Sequence, residues 1–320
     1  MKWSYSVHTA MRRCQRLLVF AHVMASHNAR DPMRREAYFL KQLQHLSAWQ
    51  GSLVHRMLAT AFLEDLRAAR PVDPAALAAA AWDLAQRQVA FSAARRYRKR
   101  GQTKREAGDA YCALFEHDHG WTIAPEALRS VRVNLARCFE NLAAQRQFLA
   151  SLYAGFDHIA ECPLNFRLNG VTVAATPDLA FWRTDGQPTV VDWKVTDSEM
   201  SDYSRQVLIY ALAVARCGRW PGVSAEAIEL YEVNLLKGQV RQHPVTAERL
   251  EETEDFIYQS IVELGTLVGD GKFRDLDLDE FEVAEKPATC FYCHFRSLCR
   301  LQLEASGRPA ETPIIQGRLW

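Results

Sequence analysis

The chain has 320 residues, of which 48% are hydrophobic and 24% charged, a composition that excludes disordered and collagen-like proteins. Its 39 lysines and arginines nearly balance its 38 acidic residues, so the net charge does not indicate a polyanionic partner. Any nucleic acid would have to bind a local basic patch. No apolar run approaches the ~18 residues of a membrane helix, and eight cysteines without an export signal predict a cytoplasmic protein.

The first half of the chain predicts almost only helices. Ser47 is the expected N-cap of the second helix, and Asp73 followed by Pro74 is typical of a helix start. Apolar spacing predicts helices over about 9–27, 48–69, 74–98, 104–117 and 125–154.

From about residue 156 the pattern changes to β-branched runs separated by turn residues, which predicts several short strands up to residue 195. A helix over 201–216, a strand over 227–236 and a helix over 247–269 follow, and then a cysteine-rich segment. This order predicts an α/β fold in four segments, 1–60, 61–155, 156–240 and 241–320.

Two acidic residues and a lysine stand at the ends of two of these strands. Asp192 and Lys194 are two positions apart, so both side chains point to one face of the strand. A three-residue loop over 184–186 would place Asp178 opposite Asp192, whereas an even-length loop would turn Asp178 to the other face. Paired carboxylates suit a hard cation such as Mg²⁺ or Mn²⁺, and a nearby lysine could position or deprotonate a water that attacks phosphorus. A plain salt bridge at a strand end is the alternative.

These residues, in the form Pro177-Asp178 followed by Asp192-Trp193-Lys194, resemble the motif of the PD-(D/E)XK nuclease superfamily. The closer resemblance is to the RecB-like branch, which includes helicase-associated repair nucleases and CRISPR-adaptation nucleases. One departure is that this branch often has Gly where Thr176 or Pro177 stands here.

Three further features resemble the same branch. The stretch 51–55 looks like its Gly-x-x-x-His motif, so the resemblance makes His55 a metal ligand together with Asp178 and Asp192. Gln206 and Tyr210 look like its Gln-x-x-x-Tyr motif, and one helical turn separates them. Glu161 matches an acidic position before the first Asp, although a solvated strand-end charge is an equal alternative.

The resemblance implies a restriction-endonuclease-like core, a central mixed sheet flanked by helices, within segment 156–240. The implied function is a metal-dependent DNA nuclease that hydrolyses phosphodiester bonds by metal-activated water, acting as an exonuclease on single strands or duplex ends. DNA repair and recombination, or phage defence through CRISPR adaptation, are the implied roles, with a separate helicase or CRISPR-adaptation subunit as partner. The alternative is a non-catalytic DNA-binding module that keeps this fold.

Three cysteines lie within ten residues of the tail, Cys290, Cys293 and Cys299. Three thiolates suit zinc, which could recruit His294, or an iron–sulfur cluster. The resemblance favours a 4Fe–4S cluster with Cys14 as the fourth ligand, a staple that ties the first helix to the tail.

Basic residues cluster near the end of the third predicted helix and make segment 61–155 the candidate DNA-contacting part. The interpretation is that they follow a phosphate backbone while the tyrosine between them stacks on a base, and a solvated helix end is the alternative. The residues assigned to this surface are Arg95, Arg96, Tyr97, Arg98, Lys99 and Arg100.

Overall fold

The computed structural model describes residues 2–99, 102–198, 203–269, 272 and 276–307. The chain divides into two compact units: a small unit, Trp3–Leu43 with Ser260–Trp320, and a large unit, Gln44–Gln259. The four segments predicted above follow motifs along the chain and remain an interpretation of the sequence. Predicted residue Arg100 lies outside the described residues.

Helices predominate over strands in the described chain. Their bounds are α1 Tyr5–Arg13, α2 Gln15–Leu18, α3 Pro32–Lys41, α4 Leu46–Met57, α5 Leu63–Arg67, α6 Pro74–Ala93, α7 Lys104–Ala107, α8 Phe115–Asp118, α9 Pro125–Ala144, α10 Arg146–Ala154, α11 Ser204–Arg216, α12 Ala247–Val268, α13 Pro287–Phe291 and α14 Arg296–Ala305. The strands are β1 Phe156–Ala160, β2 Leu164–Leu168, β3 Val171–Ala175, β4 Leu179–Trp182, β5 Pro188–Lys194, β6 Glu229–Asn234 and β7 Gln239–His243.

The helix predicted over 9–27 in the small unit is interrupted. Cys14 takes an extended backbone (φ −173°, ψ 125°) that separates α1 from α2, and a π-helical turn over Val19–Met24 follows α2. Helix α3 was not predicted, although Asp31 caps it by accepting a hydrogen bond from the Arg34 backbone N–H and Pro32 starts it. The apolar pattern alone did not reveal these breaks, because it persists across them.

The helices of the large unit follow the prediction more closely. Asp73 caps α6 as predicted and accepts hydrogen bonds from two backbone N–H groups. Helix α4 begins after His45 instead of Ser47. The helix predicted over 104–117 was wrong in its middle, because Gly108 turns the chain with φ +57° at the end of α7. The predicted helix over 125–154 is divided at Gln145 into α9 and α10.

A five-stranded mixed sheet, in the order β1-β4-β5-β6-β7, forms the centre of the large unit. Strands β5 and β6 are parallel, and the other neighbours in this sheet are antiparallel. Strands β2 and β3 form a separate hairpin. The predicted mixed α/β architecture is therefore confirmed, and β7 is a strand that the sequence pattern missed.

One face of β5 builds the core of the large unit. Val191 and Trp193 are buried, and the Trp193 ring meets Phe62 and Phe148 edge-on at centroid distances of 6.5 and 5.9 Å. Because successive side chains alternate along a strand, this burial turns Asp192 and Lys194 to the opposite face.

We expect Gly155→Ala to destabilise the protein, because the chain passes too close to β4 to admit a side chain. A Cβ at this position would lie 2.4 Å from the Phe181 ring and 3.0 Å from the Trp182 carbonyl oxygen. The expected loss is ~1–3 kcal/mol of unfolding free energy, measured by chemical denaturation. Gly265→Ala is the matched control, since a Cβ there meets nothing within 4 Å and should stabilise helix α12. Equal effects of the two substitutions would contradict this account.

Candidate active site

The hairpin of β4 and β5 sets the spacing of the two predicted carboxylates. Leu179 pairs with Val191 and Trp182 with Pro188, and a three-residue loop follows the Arg183–Gln187 hydrogen bond of 2.9 Å. This register extends to Asp178 opposite Asp192, so both side chains lie on one face of the sheet. Of the two loop lengths considered, the structure has the odd one, which brings Asp178 and Asp192 together.

Asp192 is almost completely buried, with 1% of its surface exposed. Burial raises the pKa of Asp192 to about 6, and the charge of Asp178 adds to this effect against the opposing Lys194 ammonium. Its Oδ2 atom lies 2.5 Å from Lys194 Nζ as an ion pair. A buried carboxylate oxygen in this state is electrostatically suited to a cation.

Asp178 is fixed by two neighbours from distant parts of the chain. Its Oδ2 accepts a hydrogen bond of 2.7 Å from the Trp193 backbone N–H, and its Oδ1 lies 3.2 Å from His55 Nδ1. Burial lowers the pKa of His55, but the hydrogen bond and charge of Asp178, helped by the charge of Asp192, overcome this and raise it. The last turn of α4 thus brings an imidazole to the carboxylate pair.

Lys194 is held at one end of a hydrogen-bonded chain of side chains. Its Nζ donates to Gln206 Oε1 at 3.0 Å, and Gln206 Nε2 donates to the Tyr210 hydroxyl at 2.7 Å. Tyr203, which the sequence analysis missed, places its ring 4.1 Å from the ammonium as a cation–π contact. Tyr203 lies one helical turn before Gln206, and this spacing could have predicted that the two side chains are neighbours.

Tyr210 is buried in this arrangement, with 7% of its surface exposed. Through these hydrogen bonds Gln206 and Tyr210 position the Lys194 ammonium. Glu161 lies beside the site through its backbone, whose N–H donates to the Asp178 carbonyl at 3.0 Å, but its side chain is exposed.

The predicted base-stacking role of Tyr97 is wrong for this conformation. Only 1% of Tyr97 is exposed, and its hydroxyl donates to Asp118 Oδ1 at 2.9 Å. Arg98 also pairs with Asp118, at 2.6 Å, and Arg95 donates to the Asp118 carbonyl. Arg95, Arg96 and Lys99 remain exposed. The buried Tyr97 therefore holds this basic turn in place, and the three exposed cations remain accessible to solvent.

In the small unit, the four predicted cysteines line one cavity of about 350 Å³. Burial raises the pKa of Cys293 to about 11, and the thiol of Cys14 acts in the same direction. Arg16, which the sequence analysis missed, lines the same cavity. It is fully buried, and its Nη1 has no hydrogen-bond acceptor among the described residues. A buried cation at this place lowers the pKa of Cys299 against the larger effect of burial, which raises it.

Side chains that bind one metal ion must lie closer together than side chains that merely line the same cavity. Across the described ranges, no three or more His, Cys, Asp or Glu side chains are grouped closely enough to hold a metal ion as they stand. The donor chemistry at Asp178 and Asp192 nevertheless fits a hard divalent cation, because the two carboxylates lie side by side on one face of the hairpin and Asp192 is buried.

Comparison with protein families covers nearly the whole chain. Residues 2–300 match the model of the PD-(D/E)XK nuclease superfamily. The chain therefore belongs to the PD-(D/E)XK nuclease superfamily, and the superfamily prediction made from the motifs is confirmed.

Two solved structures are similar to parts of this chain. SSO0001 has 14% identity and a TM-score of 0.29, over 59% of this chain and 80% of the other. A "Putative exonuclease" from Eubacterium rectale has 12% identity and a TM-score of 0.36, over 64% of this chain and 76% of the other. No curated protein matches the sequence. In the described part of the chain, no helix is long and apolar enough to cross a membrane.

Proposed function

We propose that this nuclease hydrolyses phosphodiester bonds of DNA with a divalent cation, Mg²⁺ or Mn²⁺, held by Asp178 and Asp192. The observation that carries the proposal is the pairing of these two carboxylates on one face of the β4–β5 hairpin, with Lys194 in an ion pair beside them. A bound divalent cation supplies Lewis acidity and lowers the pKa of water.

The chain's own residues supply positioning and charge. Lys194 can donate a hydrogen bond to an attacking water and offset the negative charge that develops on the phosphate. Gln206 fixes the direction of the ammonium, and Tyr210 fixes Gln206. His55 restrains Asp178 and is the candidate third ligand.

The defining test is degradation of end-labelled single-stranded DNA by purified protein with Mn²⁺. We expect shortened products with Mn²⁺ and none with EDTA, and a 5′-labelled and a 3′-labelled substrate together test the exonuclease proposal. Release of mononucleotides from one end supports an exonuclease, while internal fragments from a circular substrate contradict it. Cleavage that persists in EDTA contradicts the metal-dependent reaction.

Replacement of His55 tests its role as a ligand. We expect His55→Ala to raise the Mn²⁺ concentration needed for half-maximal activity ~10–100-fold, because Asp178 loses its restraint and the cation loses a donor. Titration of Mn²⁺ under otherwise constant conditions measures this. His27→Ala in the small unit is the control and should leave the titration unchanged. A His55→Ala titration identical to that of the wild type would exclude His55 from the metal site.

We propose that the cysteine cavity holds a 4Fe–4S cluster, with Zn²⁺ and His294 as the alternative. The support is that Cys14, Cys290, Cys293 and Cys299 line one cavity and that four thiolates are the usual ligand set of such clusters. The thiols are not yet grouped at ligand distance, so binding would draw them together and stabilise the small unit.

Anaerobic purification separates these alternatives. We expect iron and a brown chromophore in the wild type, both lost in Cys293→Ser and both kept in Cys217→Ser, the matched control outside the cavity. Stoichiometric zinc without iron would contradict the cluster and support the alternative.

The cellular setting is a further proposal, based on the motifs of the RecB-like branch. We propose a cytoplasmic role in DNA repair and recombination or in CRISPR adaptation, with a separate helicase or CRISPR-adaptation subunit as partner. Co-purification of a tagged chain with such a subunit from its own cells tests this role.

A further inference from the structure

The large unit contains a cluster of aromatic side chains that is separate from the proposed catalytic residues. Trp121 is 41% exposed, and its ring lies 5.3 Å from that of His119. Buried Phe115 lies behind both, 4.0 Å from the His119 ring as a stacked pair and 5.8 Å from Trp121 edge-on. His45 packs against the same phenylalanine at 4.3 Å. We call His45, His119 and Trp121 the aromatic platform.

The platform is held in place by the turn that follows α8. The His119 Nδ1–H donates to the Phe115 carbonyl at 2.9 Å, and the Trp121 backbone N–H donates to the Glu116 carbonyl at 2.8 Å. Gly120 makes this turn with φ +74°, a conformation that glycine adopts easily. Exposed rings that are already ordered lose little entropy on binding a ligand.

Positive charge lies beside the platform. Arg95 donates to the carbonyls of His117 and Asp118, which fixes the basic turn next to α8. The carboxylate of Asp118, at the end of α8, is neutralised by Arg98 in an ion pair of 2.6 Å. Arg96 and Lys99 are exposed on this turn. The combination of an exposed aromatic surface and cations complements a strand of bases and phosphates.

The platform is also tied to the helix that carries His55. The backbone of Gln44 accepts a hydrogen bond from the Phe115 N–H at 2.9 Å and donates to the Ala113 carbonyl at 2.8 Å. His45 is the N-cap of α4, and His55 lies in the last turn of the same helix. At ~1.5 Å per residue, α4 separates these two positions by ~15 Å, about four nucleotides at the ~3.4 Å spacing of a stacked strand.

We propose that the aromatic platform stacks bases of a single-stranded DNA substrate while Arg95, Arg96 and Lys99 contact its phosphates, and this rests on the proposed nuclease function. Bases in the interior of a duplex are stacked on both faces and offer no open face to Trp121. The platform thus selects single strands and guides them along α4 toward Asp178 and Asp192.

Binding of a labelled thymidine oligonucleotide to the full chain tests the proposal. The Asp192→Asn background prevents cleavage, and fluorescence anisotropy gives the Kd. We expect Trp121→Ala to weaken binding about tenfold, which corresponds to ~1.4 kcal/mol, and Trp121→Phe to restore most of it. Tyr258→Ala is the control, because Tyr258 is a similarly exposed aromatic residue on α12, at 47%. Equal Kd values for Trp121→Ala and its parent would overturn the proposal, as would equal affinity of the parent for a blunt duplex.

A second variant gives an independent result if Trp121→Ala folds poorly. Loss of Arg96 and Lys99 together, as Arg96→Gln with Lys99→Gln, should weaken binding and reduce the slope of log K against log salt by about 1.4, at ~0.7 per phosphate contact. An unchanged salt slope would overturn the phosphate contacts.

A small substrate distinguishes failure of this inference from failure of the proposed function. The 4-nitrophenyl ester of thymidine 5′-phosphate is too short to reach from the catalytic residues to the platform. One outcome is that the wild type hydrolyses this ester with Mn²⁺ while Trp121→Ala leaves oligonucleotide binding unchanged. That result would overturn the platform and would still support the nuclease function. If the wild type neither hydrolyses the ester nor binds the oligonucleotide, both proposals are wrong.

Discussion

Asp192→Asn is expected to abolish DNA hydrolysis and at the same time to stabilise the metal-free protein. Loss of the charge of Asp192, a proposed metal ligand, should lower the rate by at least ~10³-fold. Stability should rise because burial and Asp178 destabilise the Asp192 carboxylate, as its raised pKa shows. Thermal unfolding in EDTA and cleavage of labelled DNA in Mn²⁺ measure the two effects.

The stabilising effect should depend on pH. The pKa of Asp192 in the folded protein, about 6, lies above the 3.8 of an unperturbed aspartate, so the folded state binds the proton more tightly. The destabilisation by the charged form therefore grows as the pH rises from about 4 and is complete above about 6. Asp192→Asn should gain most above pH 6 and progressively less below it.

Asp83→Asn is the matched control for both measurements, because Asp83 is an exposed aspartate on α6. It should change neither cleavage nor stability by a measurable amount. An Asp192→Asn protein that cleaves DNA at the wild-type rate would place the active site elsewhere.

Lys194→Met is expected to remove activity and, unlike Asp192→Asn, to destabilise the fold. The ammonium lies 2.5 Å from Asp192 Oδ2, so its loss leaves a buried carboxylate without its ion-pair partner. Breaking a buried pair from one side typically costs ~3–5 kcal/mol, and protonation of Asp192 will reduce that cost. The rate should fall ~10²–10³-fold, because charge on the phosphate loses its compensation.

The double variant separates the two effects of Lys194. Combining Asp192→Asn with Lys194→Met removes both charges, so stability should recover to near the wild-type value while hydrolysis stays absent. Urea denaturation of the four proteins gives the coupling energy of the pair. If the two stability changes simply add, the pair is not coupled in the folded protein and its catalytic arrangement would need revision.

Much of the site could be predicted because its geometry is local. The alternation of side chains along β5 places Asp192 and Lys194 on one face. The sequence left the loop length open, and the odd-length loop in the structure brings Asp178 opposite Asp192. The helical repeat brings Gln206 and Tyr210 together in the same way. These relations depend on backbone periodicity within a few residues, which a sequence displays directly.

The uses of those side chains could not be predicted, because they depend on packing. Gln206 and Tyr210 hold Lys194 instead of facing solvent, and Tyr97 turns inward to Asp118. Helix positions and ends were also missed at Cys14, Gly108 and Gln145, where the backbone turns although the apolar pattern continues. A hydrophobic pattern records which residues prefer burial, but not which partner they meet.

The sequence by itself indicated the superfamily through its motifs, the mixed α/β architecture through its hydrophobic patterns, and the shared strand face of Asp192 and Lys194 through the two-residue period of a strand. Only the tertiary structure brought His55 within 3.2 Å of Asp178, across 123 positions of chain, and gathered four cysteines around one cavity. It also exposed Trp121 beside the basic turn while burying Tyr97. Contacts between distant segments depend on the balance of loop-closure entropy and packing over the whole chain, which no single stretch of sequence contains.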